Sequence, residues 1–198
     1  MHTELAISNE HHHDSDATDV FGFWLYIMTD CILFGSLFAT FLVLTYQGMP
    51  GAGLKNYINL PTVLIETFCL LASNFTFCLA MLNLNHEKIG KVQTWLALTF
   101  LLGATFVVIE VKEFIALAHD GFRWDLNGQA SAFYTLVGTH GFHVSCGLLW
   151  ILVMIFQLPL LKGSEIAKRR LTYLGLFWNF LDIVWIFVFS VVYLMGAM

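Results

Sequence analysis

The chain has 198 residues, of which 58% are hydrophobic and 12% charged, with a mean hydropathy of +0.74 and a formal net charge of −5. A water-soluble domain carries about 25% charged residues, so a soluble enzyme is excluded. No basic patch is present to lie against phosphates, which excludes a nucleic-acid partner.

Residues 1–19 are polar and acidic and carry His11, His12 and His13. They lack the positive start and early apolar segment of a signal peptide. A histidine tract holds metal weakly, and the preferred reading is a disordered, acidic, His-rich cytoplasmic tail. Five apolar runs follow, near residues 20–46, 60–84, 93–118, 132–160 and 171–195. Each reaches the ~20 residues that a helix needs to cross the hydrocarbon core. Pro50, Pro61 and Pro159 mark ends and loops, and the connections are short. Short loops force antiparallel neighbours. The expected fold is an all-α membrane protein, a bundle of five transmembrane helices over residues 20–198, without the inverted repeats of a transporter.

Lys and Arg set the expected orientation. Lys88, Lys91, Lys162, Lys168, Arg169 and Arg170 fall on the side of the amino terminus, against Lys55 and Arg123 on the other. The positive-inside rule then puts the amino terminus in the cytoplasm and the carboxyl terminus in the periplasm. Trp24, Tyr46, Trp95, Trp124 and Tyr173 lie near span ends, as interfacial anchors do. Cys31, Cys69, Cys78 and Cys146 form no Cys-x-x-Cys pair and are read as small buried apolar residues.

Polar residues at depth carry the functional signal. Asp30 lies about 15 Å along the first span, at 1.5 Å per residue. Glu66 is in the second span, Glu110 and Glu113 are in the third with Lys112 beside them, and Asp182 is in the fifth. The fourth span carries His140 and His143, three residues apart and therefore on nearly one face. Gly138, Gly141 and Gly147 beside them remove bulk and permit close packing. Polar groups in hydrocarbon must find partners. Glu113 or Glu66 paired with His140 or His143 is the expected arrangement, while Asp30 has the least obvious partner and is open to a lipid headgroup, water or another subunit.

Three readings of this set stay open. His-x-x-His with carboxylates can ligate iron or zinc, but a di-iron bundle needs Glu-x-x-His on two helices, and no matching pair is present. Single carboxylates on several helices suit a proton or ion pathway, which makes a stand-alone transporter the alternative of another class. The preferred reading is structural, with no metal ligand and no catalytic residue: hydrogen-bonding groups that tie a small bundle to a larger complex.

Some runs of residues say more than composition does. Gly-Thr-His-Gly-Phe-His-Val at 138–144, and Phe-Trp-Asn-Phe-Leu-Asp-Ile-Val-Trp at 177–185, together resemble subunit III of the haem–copper terminal oxidases. Phe-Val-Val-Ile-Glu-Val-Lys-Glu-Phe at 106–114, Leu-Leu-Ala-Ser at 70–73 and Met-Thr-Asp-Cys-Ile-Leu-Phe at 28–34 extend the likeness over all five spans. The chain looks most like the ubiquinol-oxidising, bo-type branch. It starts at what would be the third helix of the seven-helix cytochrome c oxidase form. Asp30 stands where those enzymes generally carry Glu, and Glu66 where they tend to carry an amide. Asn179 departs from the family, which usually has His there; an amide exchanges hydrogen bonds but does not titrate.

The resemblance implies a non-catalytic subunit of a proton-pumping quinol oxidase in the bacterial inner membrane. That complex works in aerobic electron transport and reduces oxygen to water. Haems and copper are expected in subunit I, with none in this chain. Implied partners are subunit I directly, subunit II and a small subunit IV, together with phospholipid, and ubiquinol at the level of the complex. Subunit III of a cytochrome c oxidase, or a nitric-oxide-reductase-associated homologue, is the alternative within the family.

Overall fold

The computed structural model describes residues His2–Tyr46, Leu60–Asn85, 89–161 and 164–194. Residues 47–59 with Lys55, Lys88, Lys162 and the chain end at 195–198 lie outside them, as do the side chains of His11, His12 and His13. Five helices account for nearly all of the described residues. They are α1 (His2–Tyr46), α2 (Leu60–Asn85), α3 (Ile89–His119), α4 (Gly128–Leu161) and α5 (Glu165–Val188), the last running on into a π-helical turn, Phe189–Leu194. Each contains a segment long and apolar enough to cross a membrane: Val20–Tyr46, Pro61–Leu84, Ile89–His119, Gly128–Leu160 and Glu165–Tyr193.

Two differences from the sequence reading have local causes. Helical backbone begins at His2, ahead of the first apolar run. Neither Gly nor Pro occurs between His2 and Phe21 to end it. Helices α3, α4 and α5 also begin four to six residues earlier than their apolar runs, because polar first turns such as Glu165–Arg170 are helical without being hydrophobic.

The chain forms two compact units, Met1–Ser36 and Leu37–Met198. In the first, Ile27, Asp30 and Phe34 are buried at i, i+3 and i+7, one stripe of the helix. In the second, α2 packs on α3, α3 on α4, α4 on α5, and α5 returns to α2, closing a ring. The end of α1 joins this unit: Gln129 donates to Thr45 Oγ1 at 3.3 Å, and Phe38 meets Phe187 edge-on. Phe77, Phe106, Phe133, Trp178, Trp185 and Tyr193 fill the interior of the ring.

The turn between α3 and α4 is tightly built. Asp120 N–H donates to Ala116 O at 2.9 Å and Phe122 N–H to Leu117 O at 3.0 Å, around Gly121 at φ 91°. That left-handed backbone suits glycine. Asn127 Oδ1 accepts the Ala130 N–H at 2.7 Å and caps the start of α4. Tyr134 donates to Phe122 O at 2.8 Å and pins the loop to α4. This fixes the register of α4 one turn and a half before His140.

Pro159 lies inside α4 near its end, where it removes the N–H that Ile155 O would accept. Gln93 on α3 supplies the missing donor, its Nε2 lying 2.9 Å from Ile155 O. A proline at membrane depth is tolerated when a neighbouring helix satisfies the freed carbonyl in this way.

Three of the four cysteines differ from expectation. All four are free, but Cys31, Cys78 and Cys146 are exposed and only Cys69 is half-buried. On the outside of a membrane helix a small apolar side chain needs no protein neighbour, since lipid is as apolar as the core.

Candidate functional site

The ring buries four of the singled-out residues wholly or in part. Glu66 on α2, Glu110 on α3 and His140 on α4 are all buried, and Glu113 is half-buried one turn beyond Glu110. Glu66, Glu110 and Glu113 lie within electrostatic reach of one another. Tyr193, presented by the π-helical turn of α5, reaches all three. The His140 ring stacks on Trp185 with centroids 5.2 Å apart and meets the edge of Phe106 at 6.0 Å. Phe106 in turn stands perpendicular to Trp185 at 4.7 Å.

Gly141 explains how Glu110 fits. A Cβ at that position falls 2.8 Å from Glu110 Oε2 and 2.9 Å from Oε1, so the carboxyl occupies the space that a side chain would take. At Gly147 a Cβ falls 2.9 Å from the Trp178 ring, which lies flat against α4 there. Gly138 is different, since a Cβ meets only Phe114, at an ordinary 3.7 Å.

The expected carboxylate–imidazole pairs are not all made. Both oxygens of Glu66 are buried without a hydrogen-bond partner among the described residues, as is Oε1 of Glu110 and of Glu113. His143 instead turns back on its own helix, its Nδ1 2.7 Å from Thr139 O. The carbonyl four positions earlier lies within reach on the same helix, so this bond needs no neighbouring helix.

A second polar region runs along α2 and α5. Trp178 Nε1 donates to Ser73 Oγ at 3.2 Å, and Trp185 Nε1 to Thr67 Oγ1 at 3.1 Å. Higher numbers on α5 meet lower numbers on α2, so these two helices run antiparallel. Asp182, between the two tryptophans, is reached by the side chain of Asn74. Thr76 and Thr99 share a 2.8 Å hydrogen bond that extends the region to α3.

Two of the singled-out residues stand apart. Asn179 is exposed on the outer side of α5, donating to Gly175 O at 2.9 Å. Asp30 belongs to the other compact unit, where it is buried. Sequence reasoning missed Gln93, Asn74, Tyr193 and the hydroxyl–indole pairs. A lone Gln a third of the chain away from Pro159 gives no local signal, and the π-helical turn that aims Tyr193 has none either. Among the described residues, no group of three or more His, Cys, Asp or Glu is placed to hold a metal ion.

Comparison with known proteins places this architecture in a family. The cytochrome c oxidase subunit III family matches residues 1–197, and the chain belongs to it. With five helices able to span a bilayer, it is a multi-pass membrane protein. Among its relatives, the cytochrome bo(3) ubiquinol oxidase subunit 3 of Pseudomonas aeruginosa is 49% identical over 195 residues, covering 98% of this chain and 93% of the relative. The same subunit of Pseudomonas putida is 48% identical over 186 residues, covering 94% and 90%. Cytochrome c oxidase subunit 3 of Bacillus subtilis is 41% identical over 177 residues, covering 88% and 85%.

Proposed function

We propose that this chain is subunit III of a haem–copper ubiquinol oxidase, a proton-pumping complex that oxidises quinol and reduces oxygen to water. The observation that carries this is the 49% identity to a bo(3) subunit over nearly the whole of both chains. The 49% and 48% identities to the two Pseudomonas bo(3) subunits exceed the 41% to a cytochrome c oxidase subunit, which favours the quinol branch. The chain takes no direct part in the redox chemistry. Haems and copper belong to subunit I, and this chain packs beside it in the bacterial inner membrane with subunit II and a small subunit IV. The Lys and Arg distribution orients it with the amino terminus in the cytoplasm and the carboxyl terminus in the periplasm.

Within that role the polar residues hold the subunit together. His140 joins α4 to α5 through Trp185, and Glu110 sits in the α3–α4 seam against Gly141. A groove of about 400 Å³ opens between α2 and α5, lined by Phe77, Cys78, Met81, Leu82, Gly175 and Asn179 among others. Its apolar wall suits an acyl chain of a bound phospholipid.

Purification of the tagged chain from membranes in mild detergent tests the reading. The expected result is a haem-bearing complex that oxidises quinol and not reduced cytochrome c. Oxidation of cytochrome c by the complex supports the other branch of the family. Isolation of the chain alone, carrying ions across vesicles, rejects the subunit role. His140→Ala is expected to lower the yield of subunit I co-purified with the chain while leaving haem per subunit I unchanged.

A further inference from the structure

Among the described residues, Glu66, Glu110 and Glu113 put three acids into the ring with no fixed cation buried beside them. No Lys or Arg is buried among the described residues, and Lys112, between two of the acids in sequence, is exposed on another face of α3. Both Glu66 oxygens, and one each of Glu110 and Glu113, meet no donor among those residues. Glu66 has no accessible surface and Glu110 only 4%. One carboxylate charge moved into such an interior costs several kcal/mol (about that order after relaxation), and further charges within electrostatic reach of it cost more.

A proton resolves both problems together. A carboxylic acid is neutral, and its O–H is the donor that neighbouring carboxyl oxygens lack. Tyr193 on α5 is within electrostatic reach of all three acids, and His140 and His143 on α4 flank Gly141, the residue against which Glu110 lies. The phenol arrives on a π-helical turn, a distortion that recurs at functional sites. From this geometry we infer that Glu66, Glu110 and Glu113 form a proton-binding site inside the α2–α5 ring, holding protons in common and exchanging them as a unit. The site lies wholly in this chain and does not depend on which electron donor the complex uses.

The test is infrared spectroscopy of the purified complex over a pH series, in H2O and D2O. The carboxylic-acid C=O band of the unmodified complex is compared with those of Glu66→Gln, Glu110→Gln, Glu113→Gln and Gly141→Ala. Each Gln variant is expected to remove part of the acid band and to move the titration of what remains by about one pH unit or more, as coupled groups require. Gly141→Ala keeps all three acids but crowds Glu110, so it is expected to shift the band frequency without loss of intensity. It carries the test if a Gln variant fails to assemble. Acid bands identical in all four variants overturn the inference, as does titration of the remaining acids that ignores the missing one. A titration that moves when choline replaces sodium or potassium also overturns it, by showing an alkali cation in the site.

Discussion

Two polar regions lie inside the same ring of helices and are satisfied in opposite ways. Along α2 and α5, the indoles of Trp178 and Trp185 each find a hydroxyl, and the Thr76–Thr99 pair adds a third cross-helix bond. Around Glu66, Glu110 and Glu113, buried carboxyl oxygens meet no hydrogen-bond donor among the described residues. The difference follows from side-chain chemistry. A hydroxyl both donates and accepts, so Thr99 can donate to Trp95 O at 3.0 Å and still meet Thr76. An ionised carboxylate only accepts, and among the described residues no buried Lys or Arg supplies it with a charged donor. The first region is fastened by the chain itself; the second needs something brought to it.

Substitutions separate the two, beginning with the largest effect. Trp178→Ala removes a buried ring packed on Gly103 and Gly147 and leaves Ser73 without its indole. It is expected to destabilise the subunit by about 3–5 kcal/mol, read as loss of the chain from the complex on mild heating. Gln93→Leu uncovers the Ile155 carbonyl that Pro159 cannot serve. The expected loss is about 1–3 kcal/mol, and Pro159→Ala in the same chain should restore most of it by returning the helical donor. A double mutant no more stable than Gln93→Leu alone breaks that link.

Thr76→Val deletes one cross-helix bond without changing shape. Hydrogen bonds of this kind within membranes average about 0.6 kcal/mol, so a small drop in unfolding stability in detergent is expected. Glu66→Gln is the sharpest contrast. If the acid region contributed to stability as the hydroxyl region does, its removal would loosen the chain. With no donor to lose, the subunit is expected to remain within about 0.5 kcal/mol of the unmodified protein or to gain. A loss greater than that of Thr76→Val means that Glu66 is fastened after all.

Much of the architecture was legible before any coordinates. Five apolar runs became five helices whose ends, the start of α1 at His2 apart, shifted by only a few residues, because hydropathy reports the hydrocarbon-embedded turns and misses polar ones at the edge. The family motifs were legible as well, since they are contiguous in the chain. The site was legible only as an inventory. Glu66, Glu110, Glu113 and His140 were singled out as polar groups at depth, yet the expected bond between Glu66 and an imidazole is not made, and His143 prefers its own backbone. Asn179 was grouped with them and sits outside on α5.

The sequence by itself determined which segments are helices able to cross a bilayer, because unbroken apolar length and backbone hydrogen bonding leave a membrane segment no other economical form. Only the tertiary structure decided which face of each helix turns inward. A helix apolar on nearly all sides carries no strong amphipathic stripe to set its rotation, so packing sets it instead. Gly141 admits the Glu110 carboxyl, Gly147 admits Trp178, and Gln93 reaches Ile155. These contacts link residues far apart in the chain, and through them three scattered acids come to share one interior.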